Sequence, residues 1–81
     1  MVREMLYPPS HGDLVQKSLD YIRLNHPNYW RSITESERQM EAESDAARAE
    51  HYAAILIGQG MFESQAWAQS IREMILGGVA D

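Results

Sequence analysis

Leu14, Val15, Leu19 and Ile22 recur at the i, i+1, i+5, i+8 spacing of a single helical face, with Gln16, Lys17, Asp20 and Arg23 on the other side. That pattern predicts a helix over 13–24, with Ser10 or Asp13 as its N-cap. Pro27 stops it, so the helix should end at Asn25 or His26. Residues 1–12 read as an extended lead-in, because in Tyr7-Pro8-Pro9 the residue ahead of each proline is pushed out of the α region. Near the other end, Trp67, Ile71, Met74 and Ile75 repeat at i, i+4, i+7, i+8. They predict a helix over 64–76, capped by Glu63 or Ser64 and closed by Gly77-Gly78, with a frayed Val79-Ala80-Asp81 beyond.

Between these two amphipathic segments the pattern changes. Thr34-Glu35-Ser36-Glu37 matches a capping box. No Gly or Pro follows until Gly58, and alanine is frequent, so helix propensity is high over 35–57. Such a rod is about 35 Å long. Gly58-Gln59-Gly60 ends it. Its first half, Glu35 to Asp45, offers only Met40 and Ala42 as apolar residues and is expected to project carboxylates into water or toward a partner. Its second half, Tyr52 to Ile57, is apolar on every side and is expected in the core. Ile33, Met40, Ala47 and Ala54 recur every seven residues as a thin, small-sided seam that admits another helix.

The fold these elements imply is all-α: a small three-helix domain with one long central helix and a C-terminal helical hairpin, the first helix laid across the hairpin's closed end. Its expected core is Leu14, Leu19, Ile22, Tyr52, Ile55, Leu56, Trp67, Ile71 and Met74. The connector His26–Ser32 holds Tyr29 and Trp30, which either fold back to plug the open side of the core or serve a partner as an aromatic anchor, with Tyr7 nearby.

Length and composition narrow the function classes. Eighty-one residues fit one domain with a marginal core, and without cysteine there is no disulfide to reinforce it. Homodimerisation is a common remedy at this size, and the seam suggests it. An antiparallel pair is expected, because a parallel one sets each rod's carboxylates beside their copies. No apolar run reaches the length of a signal peptide or of a membrane span, so the cytosol is the default compartment.

The net charge of −5 is unevenly placed. Residues 34–50 carry six acids against Arg38 and Arg48, whereas residues 1–33 are nearly balanced. Seven scattered basic residues make direct nucleic-acid or anionic-membrane binding unexpected, since phosphate neutralisation needs clustered Lys and Arg.

No residue set assembles a catalytic site, a cofactor site or a metal site. His11, His26 and His51 lack ligand spacing with acids, and His51 is expected at the edge of the interior. The glycine pairs lack the Lys-Ser/Thr that follows a phosphate loop. No nucleophile is tied to a base. An enzyme is not expected, and no cofactor is implied.

The candidate partner-binding residues are Glu37, Glu41, Glu43 and Asp45, together with Tyr29 and Trp30. Glu37, Glu41 and Asp45 stand at i, i+4, i+8 and form a slowly winding stripe, with Glu43 and Glu50 on a neighbouring face. Four residues of helix rise about 6 Å, comparable to the spacing of phosphates along a nucleic-acid strand. The stripe is either a solvated face that confers solubility or an acidic surface that occupies a basic groove. Small, acidic, cysteine-free helical chains of this composition resemble in kind the phage-encoded inhibitors of host machinery, anti-CRISPR proteins among them. That resemblance implies a non-enzymatic interaction module, of phage or mobile-element type, that binds and blocks a host protein. Two alternatives stand beside it. One is a small helix-turn-helix DNA-binding regulator built on Ala53–Ile75, although its second helix offers a single Arg72 beside Glu63 and Glu73. The other is a structural or adaptor subunit of a larger assembly.

Overall fold

The computed structural model describes residues 8–77. Residues 1–7 of the lead-in, Tyr7 among them, and the end from Gly78 onward lie outside the described residues. The fold is all-α, with no strand among the described residues: α1 spans His11–Asn25, α2 Pro27–Ser32, α3 Glu35–Gly58 and α4 Glu63–Met74. No described helix is long and apolar enough to cross a membrane.

The helices begin and end where side chains satisfy the terminal amides. Ser10 caps α1: its hydroxyl accepts from the Asp13 amide at 3.0 Å and the Asp13 carboxylate accepts from the Ser10 amide. The helix therefore starts at His11, two residues ahead of the expected start, and Gly12 lies inside it. Thr34 and Glu37 form the expected capping box of α3, at 3.1 and 2.8 Å. α3 closes with a Schellman motif. The Gly60 amide donates to the Ile57 carbonyl and the Met61 amide to the Leu56 carbonyl, with Gly60 at φ +100°. That left-handed conformation is open to glycine without a Cβ penalty. α4 begins at Glu63 after Phe62, and no side chain caps it, contrary to the expected Glu63 or Ser64 cap.

The expected connector is a helix. Pro27 sits at N1 of α2, where its missing amide proton costs nothing, so the proline that stops α1 starts the next turn. α2 buries no residue, so Tyr29 and Trp30 do not plug the core.

α1 and α4 both pack on α3. His11 lies beside Glu50 and Ser18 beside Asp45, so α1 runs antiparallel to α3 along its flank, not across the closed end of the hairpin. Ser70 donates to the Ala49 carbonyl and Gln69 to the Tyr52 hydroxyl, which sets α4 antiparallel on the same helix.

The contact surface of α3 is a row of alanines: Ala42, Ala46, Ala49 and Ala53 are all fully buried. Against them lie Leu14, Val15, Trp67, Ile71 and Ile75. Alanine carries nothing beyond Cβ, so both flanking helices approach the α3 backbone closely. The expected core is corrected accordingly. Leu14, Ile22, Leu56, Trp67 and Ile71 are buried, and Leu19 and Met74 are packed at its edge. Tyr52 is half-buried and Ile55 is exposed, because they sit off the alanine face. The molecule measures 40 × 31 × 19 Å, about two helices thick.

Candidate functional site: an acidic and aromatic surface at the start of α3

α2 folds back along the first turns of α3 and brings the two candidate patches together. The Tyr29 hydroxyl donates to Glu41 Oε1 at 2.5 Å. That carboxylate pushes the Tyr29 phenol above its ordinary value of 10.0, because ionising the phenol would lose the hydrogen bond it donates to Glu41 and set a second negative charge beside the first. One residue on, the Trp30 carbonyl accepts from Arg38 Nε at 2.8 Å and Nη2 at 2.6 Å. The same guanidinium stacks 4.4 Å above the Trp30 ring centroid. Arg38 thus fastens α2 to the first turns of α3.

Each sequence candidate takes a definite position. Glu37 is exposed, and the amide and hydroxyl of Thr34 hold its carboxyl below the ordinary 4.5, so it stays ionised. Glu41 is half-buried beneath Tyr29, which is itself 39 % exposed. Glu43 is exposed and accepts from Gln39 at 3.0 Å. Trp30 is half-buried.

Asp45 is the exception, being only 3 % exposed. It accepts from the buried Ser18 hydroxyl at 2.8 Å and pairs with Arg48. Burial pushes its carboxyl above the ordinary 3.8, with Ser18 and Arg48 opposing that shift. The expected stripe of three exposed acids therefore breaks after Glu41, because the winding of the helix carries the third position under α1. Glu50 lies 3.2 Å from His11 Nδ1. His51 is exposed and not at an interior edge.

A second feature was not legible in the sequence. On the outer side of α3, next to the end of α4, an open apolar groove of about 420 Å³ is lined by Ala47, His51, Tyr52, Ile55 and Met74, with Ser44 and Arg48 at one end. Only the meeting of α3 and α4 creates it. Among the described residues no group of acids and histidines is arranged to hold a metal ion. No protein-family model, no curated protein and no solved structure matches this chain.

Proposed function

We propose that this chain is a non-enzymatic interaction module that binds a protein partner through Tyr29, Glu37 and Glu41, whereas Glu43 points away from them on the far side of α3. The observation that supports it best is the Tyr29–Glu41 hydrogen bond, which makes one surface of the acidic and aromatic patches. Glu37 and Glu41 are one turn apart, about 6 Å along the axis, and an exposed aromatic ring stands beside them. Such a surface fits a basic groove of the kind that otherwise holds nucleic acid. Occupying that groove would block it, the action expected of an inhibitor of phage or mobile-element type. Asp45 has no part in this contact, since it is buried.

The test compares two double charge reversals of equal size. Glu37→Lys with Glu41→Lys is expected to abolish capture of the partner from a lysate of the native host while leaving far-UV circular dichroism that of a folded helical chain. Glu63→Lys with Glu73→Lys, on exposed positions of α4, is expected only to slow association. Capture by the native chain should fall steeply with added salt. Equal loss in both variants means that net charge alone is read and sinks the proposed surface. A gel shift on random duplex at low salt covers the DNA-binding alternative, where a retarded band would move the function to α4.

A further inference from the structure

The side of α3 opposite its alanine face is uncovered. Met40, Ser44, Ala47, His51 and Ala54 follow one another there at alternating spacings of four and three residues, and all are exposed. That is the spacing of a coiled-coil seam. Met40 is 68 % exposed at one end of it, and the apolar groove beside Ala47, His51 and Ile55 opens at the other. A protruding side chain on α3 and a recess of matching character between α3 and α4 are thus displaced from each other along the α3 axis.

We propose that this face joins two copies of the chain in an antiparallel dimer, Met40 of each copy seated in the groove of the other. Seating Met40 against the Ala47–His51 turn puts the twofold axis between Ser44 and Ala47, where small side chains let the helices approach. In a twofold antiparallel pair each flank of the seam meets the same flank of the other copy. The flank beside the groove carries Glu41 toward the N-terminus and Arg48 further along. Reversal therefore brings Glu41 of each copy within reach of Arg48 of the other, twice per dimer. Arg48 pairs with Asp45 within its own chain, and its guanidinium has donors left for a second carboxylate. Parallel pairing does neither thing: it sets Met40 on Met40, leaves the groove empty and aligns the acids of residues 35–43 with their copies. A seam from Met40 to Ala54 is only ~21 Å long, so the interface is small and the association weak. This inference does not rest on the partner reading above.

Sedimentation equilibrium of the native chain from micromolar to millimolar concentration is expected to show the mass rising from 9.3 kDa toward twice that value. Met40→Asp and Ala47→Glu, both at exposed positions, should stay at the monomer mass with unchanged far-UV circular dichroism. Because the chain has no cysteine, a spin label on Ala54→Cys reports orientation directly. The antiparallel register places the two labels ~26 Å apart along the axis. A monomer mass at millimolar concentration overturns the dimer. A label separation of ~10 Å, as in parallel pairing, overturns the orientation. Dimerisation by both variants as strong as the native chain's puts the contact elsewhere and overturns the face.

Discussion

Asp45 and Glu37 are carboxylates eight residues apart on one helix, and their surroundings push them in opposite directions. Asp45 is raised by burial, so its contribution to stability is fully present below 3.8 and is lost as pH rises through its folded value. Glu37 is lowered by Thr34, so its contribution is present above 4.5 and is lost as pH falls through its folded value. Urea unfolding as a function of pH separates them. Asp45→Asn is expected to gain on the native chain as pH climbs from the acid range to neutrality, since the amide still accepts from Ser18 and carries no charge. Glu37→Gln is expected to fall behind the native chain above 4.5 and to converge with it in acid. A difference for Asp45→Asn that does not vary with pH would show that its site does not disfavour the charged form.

The alanine face of α3 governs the elements. Four buried alanines in line at 42, 46, 49 and 53 let α1 and α4 pack close to one backbone, and Ser70 reaches the Ala49 carbonyl across that contact. A larger side chain there must move a whole helix. Ala49→Leu is therefore expected to destabilise the fold by about 1–3 kcal/mol. Ala68→Leu, on the exposed side of α4, should change stability by less than about 0.5 kcal/mol. Thermal unfolding of the two variants distinguishes them, because 1 kcal/mol shifts the midpoint of so small a domain by roughly 4–8 °C. Equal midpoints would mean that the flanking helices can yield, and that close packing is not what fixes them.

At the scale of the molecule, stability is unevenly spread. Trp67 is buried in the core between α3 and α4, whereas Trp30 belongs to a six-residue helix that buries none of its residues and is fastened through Arg38. Local opening follows such differences in buried contact. With Trp30→Phe, the fluorescence of Trp67 should follow far-UV circular dichroism through one denaturant transition. With Trp67→Tyr, which keeps an aromatic ring in the core, Trp30 should respond at lower denaturant than the circular dichroism of that same variant. Coincident transitions in both variants would show that α2 unfolds only with the whole molecule.

What the sequence determined by itself is local. The helical period of Leu14, Val15 and Ile22 and of Trp67, Ile71 and Ile75, the Thr34–Glu37 capping box and the Gly60 turn act within a few residues, so they are readable along the chain. The all-α class and the long α3 follow from them. Signals for the rest were present but weak. Ser18 stands in line with Leu14 and Ile22 on the apolar face of α1, and it is this serine that meets Asp45. The alanines at 42, 46, 49 and 53 already trace one face, yet an alanine is equally at home in water and in a tight contact. Which face of α3 is buried was decided only when α1 and α4 packed on it. That choice drew Asp45 inside, left Ile55 and Met40 outside and, through the fold-back of α2, put Tyr29 against Glu41. Tertiary structure decided these points because burial depends on which helix comes to lie on which, and a rod that is polar and alanine-rich in one half and apolar on every side at its end offers several faces that could be covered.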